Sequence, residues 1–159
     1  VRFTEKVIRK GFAAMIRRFT PEDRSIFLEM SDEFYHTHAV DHVIPRENMT
    51  ATFDTILKGS PYADGVILEM DGKPVGYGLI SLTYSGEVGG LSVLLEELYI
   101  REEYRSAGLG KSFFAWAEKQ YPEAKRFRLE VTESNTRAEA LYRRLGFERL
   151  SYIQMIKDR

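Results

Sequence analysis

The sequence predicts an α/β fold, and three local patterns support this prediction. A hydrophobic strand that ends at Ile100 passes through two glycines into an amphipathic helix. Further along, residues 128–147 are typical of a strand, a helix and the start of another strand. The pair Asp71-Gly72 lies between two apolar runs, which is a strong hairpin signal. A chain of 159 residues built in this way is expected to form one domain around one core.

The N-terminal half begins with a poorly patterned segment and then divides into recognisable elements. We interpret residues 1–14 as an N-terminal extension, with genuine upstream sequence as the open alternative, and 15–159 as the single domain. Thr20 is a favoured helix N-cap and Pro21 fits the first helical position, so a helix is expected to begin there. The predicted elements are a strand at 16–19, a helix from Pro21, a helix at 47–57, strands at 66–70 and 75–80, and a flexible loop at 85–90.

The C-terminal half contains the glycine turn and a second helical segment. Asn135 is a favoured N-cap residue, and Gly146 stands where a glycine would end the helix that follows it. Residues 147–156 are predicted to form one or two further strands.

The glycine turn, Arg105-Ser-Ala-Gly108-Leu-Gly110, predicts an anion site. The first N–H groups of a helix lack intrahelical partners, the helix dipole is positive there, and glycine lets a phosphate approach the main chain. Two familiar phosphate motifs do not fit this turn. A P-loop would need glycine where Arg105 stands, and a dinucleotide-binding fingerprint would need glycine where Phe113 stands.

The motif that does fit is R-x-x-G-x-G, which resembles the pyrophosphate loop of the GCN5-related N-acetyltransferases (GNAT). A second segment, from Asn135 to Phe147, is similar to the motif N-x-x-A-x-x-L-Y-x-x-x-G-F of the same family and matches it at every named position. The chain is therefore identified as a member of this family by resemblance. That resemblance implies the acyl-CoA N-acyltransferase fold, a mixed central β-sheet flanked by α-helices on both faces.

The resemblance also implies acetyl-CoA as the cosubstrate, with no metal expected. Backbone groups of Leu98 and Ile100 would contact its pantetheine arm. Main-chain N–H groups between Arg105 and Lys111 would hold its pyrophosphate, and these two cations would add complementary charge. The implied cofactor-binding residues are Leu98, Tyr99, Ile100, Arg105, Ser106, Ala107, Gly108, Leu109, Gly110, Lys111 and Asn135.

The implied chemistry is direct attack of an amine on the thioester. Since a primary amine has a pKa of about 10.4, a base must remove its proton at neutral pH. We favour Glu96, which shares strand parity with Leu98 and Ile100 and matches an acidic position in polyamine acetyltransferases of the family. Glu97 is the alternative base, and ordinary solvent-facing carboxylates are a third interpretation. Tyr142 matches the family's general acid for the leaving thiolate, with core packing as its alternative role.

The acceptor side of the site is less defined. All three histidines lie between His36 and His42. His38, Asp41 and His42 would suit a metal only if that segment were helical; a solvated helix end or a wall of the acceptor pocket are the other interpretations. On the pocket interpretation, Tyr35, His36, His38 and Glu97 are weak candidates for substrate contact.

Composition limits the partners. Lys and Arg number 23 against 24 Asp and Glu, and no basic block is interleaved with aromatic residues, which argues against nucleic acid and membrane surfaces. The absence of cysteine excludes thiol catalysis and is typical of a cytoplasmic protein. The sequence thus predicts acetylation of a small cationic amine. A peptide or protein acetyltransferase, or a silent acyl-CoA sensor, are the alternatives, and a homodimer, common in the family, stays open.

Overall fold

The computed structural model describes residues 5–9, 12–37, 40 and 42–158. Two short 3₁₀ turns, Pro21–Asp23 and Glu102–Tyr104, precede α1 and α3. The described elements are β1 (Glu5–Arg9), β2 (Phe12–Arg18), α1 (Arg24–Tyr35), α2 (Arg46–Leu57), β3 (Ala63–Met70), β4 (Lys73–Ser85), β5 (Gly90–Ile100), α3 (Leu109–Gln120), β6 (Arg126–Leu129) and α4 (Thr136–Arg144). None of these helices is long and apolar enough to cross a membrane.

The strands form one mixed sheet whose order follows the chain, from β1 to β6. Neighbouring strands are antiparallel except for β5 and β6, which run parallel. β1 was not predicted, and β2 begins at Phe12, before the predicted Ile16. Backbone hydrogen bonds hold these strands in the sheet, since β1 pairs with β2 and β2 pairs with β3. Their hydrophobic periodicity is weak, so the sequence pattern did not reveal them. The boundary predicted between residues 14 and 15 falls within β2; the native origin of 1–14 stays a prediction.

The predicted hairpin is confirmed at its turn. Met70 pairs with Lys73, which leaves a loop of two residues between β3 and β4. Asp71 and Gly72 both have positive φ, 51° and 76°, as a type I′ turn requires. An Asp-Gly pair tolerates these angles at low cost, so the local sequence specifies the register of β3 and β4.

Helices cover both faces of the sheet, as predicted. On one face, α1 and α2 bury Phe27 and Phe53 against Tyr77 of β4. On the other face, Phe113 and Trp116 of α3 pack on a second apolar cluster. Large side chains buried to this extent each stabilise a fold by about 1.5–3 kcal/mol. The sheet therefore lies between a layer formed by α1 and α2 and a layer formed by α3.

The prediction of one or two strands at 147–156 is wrong. After α4 the chain runs to residue 158 without entering the sheet. Its apolar side chains point outward, with Ile153 90% and Met155 92% exposed. Alternating hydrophobicity shows that a segment favours extended backbone, but a strand also needs a partner's N–H and C=O groups, which no local pattern can guarantee.

Candidate active site

A cleft opens where β5 and β6 separate. β6 pairs with β5 only from Ser92 to Leu95, whereas β5 continues to Ile100. The last residues of β5 therefore pair with β4 on one side and have no strand neighbour on the other side within the described part of the chain. A cavity of about 990 Å³ lies over this free edge. Free backbone groups beside a cavity of this size can bind an extended ligand that takes the place of the missing strand.

The structure brings the predicted cofactor residues together around this cavity. Every one of them except Ala107 lines it, although they come from three elements of the chain. The side chain of Tyr99 is held toward α1, because its hydroxyl donates a hydrogen bond to Glu33 at 2.8 Å. The cavity is lined by Leu98, Tyr99, Ile100, Arg105, Ser106, Gly108, Leu109, Gly110, Lys111 and Asn135, together with Tyr142.

The glycine turn forms a cradle of free N–H groups at the start of α3. Gly108 precedes the helix with φ 88°, and its carbonyl accepts the N–H of Ser112 at 3.0 Å. The N–H groups of residues 109–111 thus precede the first full helical hydrogen bond and have no acceptor in the helix. Ser106 also has a left-handed backbone, with φ 68°. The helix dipole makes this end of α3 positive, which suits a phosphate.

Two side chains hold the rim of the cradle. Arg105 turns back toward β5, and its Nε donates to the carbonyl of Ile100 at 2.9 Å. This bond ties the loop to the end of the strand. Asn135 caps α4, since its Oδ1 accepts the N–H of Ala138 at 3.2 Å. Its amide nitrogen has no hydrogen-bond acceptor among the described residues, so the cap and a cofactor contact are compatible roles.

Tyr142 lies on α4 between the apolar core and the cavity. Its ring packs edge-on against Phe114, with 5.5 Å between ring centroids, and against Phe147 at 6.2 Å. Among the described residues its hydroxyl has no hydrogen-bond partner, and the residue lines the cavity. Burial raises its pKa above the ordinary value for tyrosine. The hydroxyl is therefore better suited to donate a hydrogen bond than to give up its proton.

The two glutamates of β5 occupy different environments because of a β-bulge. Leu79 pairs with Glu97 and Ile80 pairs with Leu95, so Glu96 is the extra residue. The bulge interrupts the alternation of side chains at Glu96, and strand parity with Leu98 does not determine where its carboxylate points. Glu96 is exposed and accepts a hydrogen bond from Ser81 Oγ at 2.7 Å.

Glu97 is enclosed between α1 and the sheet. The hydroxyls of Tyr35 and Tyr77 donate to its two oxygens at 2.5 and 2.6 Å. Burial raises the pKa of Glu97, and the two donated hydrogen bonds oppose this effect only in part. Burial is the main cause of the raised pKa of Tyr35, and the neighbouring carboxylate of Glu97 raises this pKa further. We call Tyr35, Tyr77 and Glu97 the tyrosine–glutamate cluster.

None of the described candidates for the acceptor side lines the cavity; these candidates are Tyr35, His36, Glu96 and Glu97. His36 ends α1 with an exposed ring, and its Nδ1 lies 2.7 Å from the carbonyl oxygen of Asp32. His38 and Asp41 lie outside the described residues. Within the part of the chain that the structure describes, no group of three or more His, Asp or Glu side chains is arranged to hold a metal ion.

Sequence reasoning missed several residues of this site. Phe34 and Thr37, at the end of α1, line the cavity opposite α4. Arg137 and Arg144 of α4 line it as well; Arg137 stands at an unspecified position of the N-x-x-A motif, where nothing marked it. Tyr77 was missed because its partner is 20 residues away on the neighbouring strand. A cross-strand partner of this kind leaves no local signal.

Comparison with known proteins identifies the family of the chain. Residues 24–147 match the Acetyltransferase (GNAT) family. A protein of Bacillus subtilis (strain 168) assigned as a ribosomal protein bS18-alanine N-acetyltransferase is 30% identical over 127 residues, which cover 79% of each chain. The thialysine N-epsilon-acetyltransferase of Bos taurus is 34% identical over 92 residues, and this match covers 54% of each chain.

Solved structures show the same fold. The aminoglycoside N-acetyltransferase AAC(6')-Iy, solved in complex with CoA, superposes with a TM-score of 0.77. The alignment covers 96% of this chain and 99% of that one, at 18% identity. The predicted acyltransferase fold is thereby confirmed.

Proposed function

Because the chain belongs to the GNAT acetyltransferase family, as its match over residues 24–147 shows, we propose that it moves the acetyl group of acetyl-CoA to the primary amine of a small cationic molecule. Family membership makes it an acetyl-CoA-dependent N-acetyltransferase. The nature of the acceptor is our proposal. It rests above all on Glu97, a largely enclosed carboxylate that directly precedes the cavity-lining residue Leu98.

The described residues are suited to hold acetyl-CoA. The free edge of β5 at Leu98 and Ile100 can bond the amide groups of the pantetheine arm as a strand would. The N–H groups at the start of α3 and the cations Arg105 and Lys111 suit the pyrophosphate. Asn135 can donate its amide N–H groups to a carbonyl of the arm. Acetyl-CoA held in this way would supply a thioester to the cavity that Tyr142 also lines.

We assign removal of the amine proton to Glu96, acting through water. Its carboxylate is exposed, so water reaches it, and it lies at the bulge beside the free part of β5. The tyrosine–glutamate cluster then forms the wall that attracts the cationic acceptor. Glu97 supplies the charge, and Tyr35 and Tyr77 fix its position. A positioned carboxylate of this kind lowers the free energy of a bound ammonium group.

Tyr142 is assigned to the leaving thiolate. A phenol of ordinary pKa is already a weaker acid than a thiol by about 1.5 pKa units, and burial of Tyr142 increases the difference. Complete proton transfer is thus uphill. A hydrogen bond from the hydroxyl to the sulfur still stabilises developing negative charge, which is the role that we assign to Tyr142.

A peptide or protein acceptor is the second candidate. It is supported by the relative that bears the name of a ribosomal protein alanine acetyltransferase and aligns with 79% of this chain. The N-terminal amine of a peptide is a primary amine as well, so the same cofactor site serves either acceptor. The acceptor wall would then have to accommodate an extended chain.

The decisive experiment measures free-thiol release from acetyl-CoA with polyamines, aminoglycosides, amino acids and short peptides, and with no acceptor as the control. We expect saturable release with small cationic amines and little with neutral peptides. Release only with peptides would transfer the assignment to the second candidate. Tyr142→Phe should lower kcat by about 10-fold to 100-fold while the Kd of acetyl-CoA stays unchanged. A silent sensor would bind acetyl-CoA and release no thiol with any acceptor.

A further inference from the structure

We propose that Arg137 binds the ribose 3′-phosphate of acetyl-CoA and thereby makes this enzyme selective for CoA thioesters over thioesters that lack this phosphate. The inference rests on the proposed function, since it concerns a second anionic group of the same cosubstrate. Two observations support it. The cavity is lined by several cations, and Arg137 on α4 contacts Ser106 in the glycine turn.

The cavity collects cations that have no carboxylate partner. Among the described residues, none of the cavity-lining cations Arg105, Lys111, Arg137 and Arg144 forms an ion pair, and the cavity's one lining carboxylate is that of Glu102. Most described arginines elsewhere do form one. The paired arginines are Arg17, Arg18, Arg24, Arg101, Arg126, Arg143 and Arg149. Unpaired positive charge concentrated in one cavity indicates a ligand with several negative charges.

Arg137 and Ser106 bridge the two walls of the cavity mouth. Nη2 of Arg137, on α4, donates to Oγ of Ser106 in the glycine turn at 2.7 Å. Ser106 has a left-handed backbone, a conformation that is unfavourable for a residue with a side chain. The contact from Arg137 helps to hold it there. The remaining N–H groups of the guanidinium have no acceptor among the described residues and are left for a ligand.

The pyrophosphate does not need Arg137. The N–H groups of residues 109–111, the positive end of α3 and the side chains of Arg105 and Lys111 already provide its binding site. Coenzyme A carries one further phosphate, on the ribose, and a phosphate monoester has a charge of about −1.5 to −2 at pH 7. Arg137 lies beside the pyrophosphate loop but on the other wall, and its planar guanidinium can hold such a group through two N–H bonds.

The test is a cycle of two ligands and two proteins. Isothermal titration calorimetry would measure the Kd of acetyl-CoA and of acetyl-dephospho-CoA for the wild type and for Arg137→Ala. We expect the substitution to raise the Kd of acetyl-CoA by about 10-fold to 100-fold, because a charge-assisted hydrogen bond is lost. The Kd of acetyl-dephospho-CoA should change much less. Arg143→Ala is the matched control, because Arg143 lies on the same helix and pairs with Glu139 at 2.8 Å; it should leave both Kd values unchanged.

A second variant separates direct contact from loop positioning. Ser106→Ala removes the hydroxyl that accepts from Arg137 but leaves the guanidinium in place. This variant should therefore raise the Kd of both ligands equally and only slightly. If Arg137→Ala weakens both ligands equally, Arg137 merely positions the loop and the inference is wrong. If the wild type binds the two ligands equally well, the inference is wrong while the proposed function stands. Failure of the wild type to bind either ligand would overturn the proposed function itself.

Discussion

The cavity and the tyrosine–glutamate cluster, to which we assign the cofactor side and the acceptor side of the site, are built in different ways. On the cofactor side, the residues that line the cavity lie mainly in two contiguous segments, 98–111 and 134–144, and they include the N–H groups at the start of α3. On the acceptor side, the tyrosine–glutamate cluster joins side chains that are 62 and 20 residues apart. The comparison teaches that a site made of backbone can be recognised from glycine and cap spacing, whereas a site made of distant side chains cannot.

The two sides also differ in charge. Arg105, Lys111, Arg137 and Arg144 make the cofactor side positive. Glu96 and Glu97, which we assign to the acceptor side, carry negative charge, and Glu97 is largely enclosed. A reaction between an anionic cosubstrate and a cationic amine is served by this separation, because each ligand is attracted to its own side. Variants that affect one side should leave binding to the other intact.

The largest effect is expected at the cradle. Gly108→Asp places a side chain at φ 88° and a negative charge at the start of α3, so acetyl-CoA affinity should fall by about 100-fold or more. Gly86→Asp is the matched control: a Cβ there meets nothing within 4 Å and φ is not in the left-handed region. Calorimetry with circular dichroism as the folding check measures both. Wild-type affinity in Gly108→Asp would contradict the assignment of the phosphate site.

The next effect separates the two glutamates. Glu96→Gln should lower kcat by about 100-fold with an unchanged Kd of acetyl-CoA, because a general base is lost. Glu97→Gln should mainly raise the KM of the amine, since it removes charge from the acceptor wall and keeps the hydrogen-bonding shape. Steady-state kinetics with the best acceptor tests both variants. The reverse pattern would assign the base to Glu97.

A smaller effect concerns the stability of the acceptor side. Tyr77→Phe and Tyr35→Phe each remove a hydrogen bond to a carboxylate, so each should lower the free energy of unfolding by about 1–3 kcal/mol. The loss should be greater for Tyr77, whose side chain is fully buried. Urea denaturation gives both values, and the Kd of acetyl-CoA serves as the control. Equal affinity for acetyl-CoA and reduced stability would confirm that the two sides are independent.

The smallest effect is a pH dependence. Burial raises the pKa of Glu97 above its value of 4.5 in an unfolded chain, so the folded state holds this proton more tightly. Stability relative to Glu97→Gln should therefore be greatest below pH 4.5 and should fall as the pH rises through the folded pKa. Unfolding of both proteins at a series of pH values between about 4 and 7 tests this sign. A difference that rises with pH would show that the tyrosine donors outweigh burial.

Prediction from the sequence succeeded where structure is local. The hairpin at Asp71-Gly72, the helices α1 and α2, and the cradle before α3 each depend on residues within a few positions of one another. It failed where a distant partner decides. The strand expected at 147–156 found no place in the sheet, and β1 formed without a marked pattern.

The bulge at Glu96 shows the same limit within the site. Strand parity was applied to a regular β5, but the shift between Leu79 and Ile80 in the neighbouring strand places an extra residue there. No sequence pattern near Glu96 announces it. The environments of Glu96 and Glu97 therefore had to be read from the structure.

By itself, the sequence determined the fold class, the glycine turn before α3 and the family motifs, because glycine conformation, helix capping and hydrophobic spacing act over a few residues. Only the tertiary structure decided that β5 extends beyond its pairing with β6, and that Arg137 donates a hydrogen bond to Ser106. It also decided that Tyr35 and Tyr77 enclose Glu97. Those features depend on strand register and on contacts between distant elements, which are set by packing of the whole chain.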